Sequence, residues 1–135
     1  MTDTPAPEAL LRAVPFAGKL GIALEEAAPA RVRAALPWAP ELCTVGGALH
    51  GGALMALADT AGAVCAFLNL PPGAGTSTVE SKTNFFRAVR SGVVRAEARP
   101  VHVGRSFLAV RTDLHDEEGT LVGQTTQTQA VLTAR

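Results

Sequence analysis

Residues 49–70, LHGGALMALADTAGAVCAFLNL, constrain the fold of this chain more than any other stretch. They are dominated by Ala, Leu, Met, Val and Phe, and the apolar residues run around the whole helical circumference instead of along one stripe. A helix of that kind must be buried on most sides, so the rest of the chain must pack around it. Asn69 and Pro71-Pro72-Gly73 end it, because proline cannot continue the hydrogen-bond ladder and glycine permits the reversal. Its apolar run reaches only the lower edge of a membrane-spanning length. Asp59 near the middle argues for a core helix and against a membrane partner.

The remaining segments supply the surround. From Thr76 onward, β-branched residues and alternating polarity predict four strands separated by Ser91-Gly92, Gly104 and Glu118-Gly119. In the second of them Val94, Ala96 and Ala98 take one side and Arg95, Glu97 and Arg99 the other, the pattern of a sheet with one wet face. Residues 106–115 repeat it less strictly. Short glycine-bearing links predict that consecutive strands are antiparallel neighbours. Residues 20–36 predict two further strands joined near Ala28-Pro29, with Val32, Ala34 and Leu36 on one face and Arg31 and Arg33 on the other. Ahead of them, Thr4 as N-cap and Pro5 in the first turn open a short helix over residues 6–14, which Pro15 stops. Residues 37–47 carry prolines and a glycine pair and read as an irregular connection. The sum is an α+β domain in which a curved antiparallel sheet packs against one buried helix. A length of 135 residues suits a single domain, residues 1–135, with residues 1–17 as a helical lead-in.

Composition excludes several functions. Twelve basic and twelve acidic side chains cancel and are dispersed, which leaves no electrostatic footprint for nucleic acid. The first twenty residues hold Asp3, Glu8 and three prolines and do not read as a secretory signal, so a cytoplasmic location is expected. Cys43 and Cys65 lack a paired spacing and are expected to be reduced, buried thiols. His50, His102 and His115 lack ligand spacing, so no metal is expected. No GxxxxGK[ST] pattern exists for a phosphate-cradling loop.

Two features carry chemistry. Asp59 is the only charged side chain in residues 51–70. An ionised carboxylate in an apolar helix costs several kcal/mol unless it is partnered, so its retention points to a site or to a structural hydrogen bond. His50-Gly51-Gly52 stands where the helix begins, where unpaired N–H groups and the positive end of the helix dipole meet. Glycine there admits close approach, and the Gly51 N–H is suited to polarise a carbonyl and stabilise an oxyanion. Gly51 and Asp59 lie eight positions apart, about 12 Å along one helix, whereas an attacking group must come within ~3.5 Å of its target. One chain therefore cannot use both on one carbonyl. An antiparallel partner helix brings the second subunit's carboxylate to the first subunit's glycine, with two equivalent composite sites per twofold dimer.

With these residues in view, the chain resembles the PaaI-type acyl-CoA thioesterases of the hotdog superfamily. LHGGALMALADTAGA is similar to that family's helix-start signature. TVESKTNFFRAVRSGVVRAEARPVHVGRSFLAVRTDLHDEEGTLVGQTTQTQAVL is similar to its four-strand continuation, and the likeness covers roughly residues 18–132. The resemblance implies a six-stranded antiparallel sheet wrapped around a long central helix, dimers that join their sheets edge to edge, and dimers paired into tetramers. It implies Asp59 as general base or nucleophile, the Gly51 amide as the donor to the thioester carbonyl, with Gly52 beside it, and His50 as the residue ordering the loop. Ser77, with Thr78 as its neighbour and competitor, matches a hydroxyl that holds the attacking water. Gly104, Arg105 and Ser106 match a turn that touches the CoA pantetheine or phosphates, with Arg87 and Arg90 as further phosphate partners. CoA enters as part of the substrate, so no cofactor is expected. The sequence departs from the family at Thr44, where relatives carry Asn, and at Ala88, where proline is common. Two alternatives remain: a hydratase or dehydratase on the same fold, whose histidine–acid pairing is missing around Asp59, and a non-catalytic acyl-CoA binder.

Overall fold

The computed structural model describes residues 5–133. Helix α1 (Pro7–Arg12) is followed by α2 (Pro15–Leu20), β1 (Ala23–Ala28), β2 (Arg31–Pro37), a single 3-10 turn (Pro40–Leu42) and the long helix α3 (Gly51–Leu68). Strands β3 (Gly75–Phe85), β4 (Val93–Val103), β5 (Phe107–His115) and β6 (Leu121–Leu132) complete the chain. Thr4, expected as the first N-cap, lies outside the described residues. The opening helix begins one residue later than expected and ends two residues earlier, with Pro7 in its first turn after Ala6 in extended conformation. Pro15 starts a second helix where a stop was expected, since at a first helical turn its missing N–H removes no bond.

All six strands form one antiparallel sheet in the order β1-β2-β4-β5-β6-β3, wrapped around α3. The expected neighbour relation holds for β4–β5 and β5–β6 but not for β3 and β4, which lie two strands apart. The 86–92 link can reach up to roughly 25 Å, enough to pass two strand ends spaced ~4.8 Å apart. A glycine-bearing link forces neighbours only when it is shorter than that.

The core lies between the concave face and α3. Val32, Ala34 and Leu36 of β2, Val94, Ala96 and Ala98 of β4, and Leu108, Val110 and Leu114 of β5 bury their side chains against Leu57, Ala58, Ala61 and Cys65. The C-terminus of α3 is tied to the β1–β2 turn by Asn69, whose Nδ2 donates to the Pro29 and Cys65 carbonyls at 2.8 Å each. Burial of α3 covers most of its sides, as expected, and leaves one face open. Gly52, Met55 and Phe67 are exposed and Gly51, Ala56, Asp59 and Ala63 half-buried, a stripe at helical spacing along one face. Cys65 is buried as expected, and Cys43 is half-buried.

Candidate active site

The sheet puts two hydrogen-bond donors on one oxygen of Asp59. Thr78 Oγ1 donates to Asp59 Oδ1 at 2.8 Å and Gln127 Nε2 donates to the same atom at 3.0 Å. Thr78 Oγ1 accepts in turn from Gln129 Nε2 at 2.8 Å, and Gln129 Oε1 accepts from Thr76 Oγ1 at 3.1 Å. β3 pairs with β6 with Thr78 opposite Gln129, and a bulge at Val79 follows, the stretch that carries the hydroxyl and both amides to the helix. Gln127 is 2% exposed and Gln129 fully buried. The Gln127 Oε1 has no partner among the described residues and packs against Gly62, where a Cβ would overlap it. Gly62 thus leaves the space that lets Gln127 reach Asp59.

The other carboxylate oxygen, Oδ2, takes no hydrogen bond among the described residues. Asp59 is half-buried and lines an apolar cavity of about 260 Å³ together with Thr60, Ala63, Val64 and Phe67, Leu10 of α1, and Ala13 and Val14 just after it. One oxygen is therefore fixed by neutral donors while its twin is left for chemistry, the arrangement a general base or carboxylate nucleophile requires.

The second locus is the start of α3. His50 is the N-cap, and its Nδ1 accepts from the Gly52 N–H at 2.7 Å, which places the ring proton on Nε2. A Cβ on Gly52 would press on that ring. The backbone before it is tied down, with His50 N–H donating to the Leu42 carbonyl and Leu49 N–H to the Val89 carbonyl, at 2.9 and 2.8 Å. The Gly51 N–H has no acceptor among the described residues and opens on a cleft lined by Leu54, Phe85, Phe86 and Arg87. Phe85 walls the glycine closely enough that an added Cβ would lie 3.1 Å from its ring. A free N–H, a helix dipole and an apolar wall suit a developing oxyanion.

Of the residues expected from the sequence, Asp59 and Thr78 meet, and His50, Gly51 and Gly52 form the helix start. Ser77 does not join them. Thr76 and Thr78 both face Gln129, so strand alternation turns Ser77, which is exposed, to the opposite side of β3. The hydroxyl on Asp59 belongs to Thr78. Thr44 is exposed at the start of a turn through Gly46 and Gly47, both with positive φ, and its backbone N–H donates to the Ala48 carbonyl at 2.8 Å. Gly104, Arg105 and Ser106 form the β4–β5 turn at the same end of the sheet as Thr78, since Phe107 pairs with Ala130 and Ala130 with Ser77. Arg105 is exposed. Arg87 lines the Gly51 cleft, whereas Arg90 lies beside Asp116, Glu117 and Glu118, whose charge opposes a phosphate. The sequence argument missed Gln127, Gln129, Gly62 and Phe85. Period two along β6 sets both glutamines on the face of buried Gly123 and Thr125, a face that alternation alone does not mark as the buried one.

The family model for the thioesterase superfamily matches residues 46–123. Among solved structures, the chain superposes on a mutant of thioesterase PA1618 from Pseudomonas aeruginosa with a TM-score of 0.92, at 28% identity over 98% of this chain and 97% of that one. It superposes on thioesterase HI1161 from Haemophilus influenzae with a TM-score of 0.91, at 30% identity over 97% and 93%. The proofreading thioesterase EntH of Klebsiella pneumoniae is 40% identical over 73 residues, 54% of this chain and 53% of that protein. With the sheet, the buried helix and this matched span together, the chain belongs to the thioesterase superfamily and is a hotdog-fold thioester hydrolase.

Proposed function

We propose that the protein is a cytoplasmic acyl-CoA thioesterase of the PaaI type, hydrolysing a small aryl- or medium-chain acyl-CoA to the free acid and CoA. The observation that carries the proposal is the asymmetric carboxylate: Asp59 Oδ1 is held by Thr78 and Gln127 while Oδ2 takes no hydrogen bond among the described residues, and Asp59 lines an apolar cavity. Oδ2 removes a proton from the attacking water, or attacks the carbonyl carbon to give an anhydride that water then hydrolyses; the negative charge on the carbonyl oxygen is met by the Gly51 N–H, and as the C–S bond breaks the CoA thiolate leaves with the proton released from water. His50, through its Nδ1 bond to Gly52, holds that N–H in place. The nearer hydroxyl, Thr78, takes the part that resemblance gave to Ser77.

Gly51 and Asp59 stand about 12 Å apart along α3, so the active protein is a homodimer in which each site draws on both chains. Two surfaces support this. The open stripe of α3 carries Gly52, Met55 and Phe67, and the edge strand β3 has exposed residues over most of its length, including Val79 at 67% exposure. An unpaired eleven-residue edge invites pairing with a second copy. Pairing of such dimers gives a tetramer. Arg87 at the Gly51 cleft and the Gly104–Ser106 turn are the groups available to the CoA phosphates and pantetheine.

The test is thiol release from a panel of aryl- and alkyl-CoA thioesters. Asp59→Asn and Asp59→Ala are expected to lower kcat by at least about 100-fold while circular dichroism stays native. Turnover within a few-fold of the unmodified protein would remove Asp59 as catalyst.

A further inference from the structure

The cavity beside Asp59 is built from both ends of the sequence's first half. Leu10, Ala13 and Val14, from α1 and the residues just after it, form one wall, and Ala63 and Phe67 of α3 form the other, with Asp59 on the lining. We infer that this opening segment is a wall of the acyl pocket and sets the length of acyl group the enzyme accepts, an inference that rests on Asp59 being the hydrolytic carboxylate.

Three observations carry it. The lining is apolar apart from Asp59 and the Thr60 hydroxyl, and that hydroxyl's proton is spent on the Ala56 carbonyl at 2.7 Å, so the lining side chains offer no neutral hydrogen-bond donor to a hydrophilic acyl group. Its volume is about 260 Å³, and since a cavity of about 150 Å³ takes benzene, it suits an apolar group of roughly six to ten carbons, aryl or alkyl. The wall from α1 is lightly held, because none of its residues is fully buried and it meets the body mainly through half-buried Leu10, Leu11 and Val14. Ala13 is exposed at the cavity, so a larger side chain there takes up acyl space without entering the core.

The experiment measures kcat/KM for butyryl-, octanoyl-, decanoyl- and phenylacetyl-CoA and, in parallel, calorimetric affinity for the corresponding non-hydrolysable thioether analogues of CoA. Ala13→Leu is expected to lower the octanoyl-to-butyryl ratio at least tenfold in both measurements, and Leu10→Ala to raise the decanoyl-to-octanoyl ratio several-fold. The phenylacetyl arm separates an aryl from an alkyl occupant by which of the two loses more in Ala13→Leu. Ratios unchanged in both variants would overturn the assignment of the wall. If the unmodified protein hydrolysed none of the thioesters yet the analogue affinities shifted as stated, the pocket would stand and the hydrolytic role of Asp59 would fall.

Discussion

Among the described residues, the donors that hold Asp59 in its apolar helix are neutral. Gln127 and Thr78 reach Oδ1, Gln129 holds Thr78, and Gly62 makes room for the Gln127 amide. This explains a mid-helix glycine that costs ~1 kcal/mol against alanine. Gly62→Ala should therefore destabilise the protein by roughly 1–3 kcal/mol through overpacking, although alanine is the better helix former. A shifted urea midpoint checks this, and a neutral or stabilising result would show that Gln127 can relocate freely. Gln127→Ala is expected to lower kcat about tenfold with KM little changed, because the donor aims the carboxylate and touches no substrate; steady-state thiol release separates the two constants. Asp59 was legible in the sequence because a lone charge among alanines and leucines is conspicuous. The glutamines were not, because a polar pair in a threonine-rich strand resembles a wet face until the sheet shows which side is buried.

Helix α3 and the strand pattern were legible because their periodicities differ so sharply from each other. Val94, Ala96 and Ala98 face the core as the alternation requires, and so do Val32, Ala34 and Leu36. Strand order was less legible, since alternation reports faces and says nothing of neighbours, and β3 pairs with β6 across most of the remaining sequence. The buried Cys65 of α3 gives this element a pH signature. Burial pushes its thiol up to about 11 from an ordinary value near 9. Between those values the unfolded chain loses a proton that the folded chain keeps, so this contribution to stability is complete below pH 9 and declines as pH rises toward 11. Urea midpoints of the unmodified protein and Cys65→Ala should converge or cross over that interval, the unmodified protein losing more. Parallel curves would mean that the thiol titrates alike in both states.

At the scale of the molecule, the single chain separates the two groups proposed to act on the thioester. The Gly51 N–H opens on the cleft with Phe85 and Arg87, while Asp59 opens on the cavity walled by α1. The spacing along α3 made this separation readable from the sequence, before any side chain was placed. The open helix stripe through Met55 and the long unpaired edge of β3 are the surfaces that a second copy would cover. Mixing two inactive variants tests the shared site most directly. Asp59→Asn removes the carboxylate and Gly51→Val blocks the amide, and each alone is expected to be inactive. Co-refolded in equal amounts they form mixed dimers in which one of the two sites has both groups intact. The account predicts recovered hydrolysis, about half the unmodified rate per mixed dimer; mixed dimers as inactive as either parent would contradict a site shared between chains.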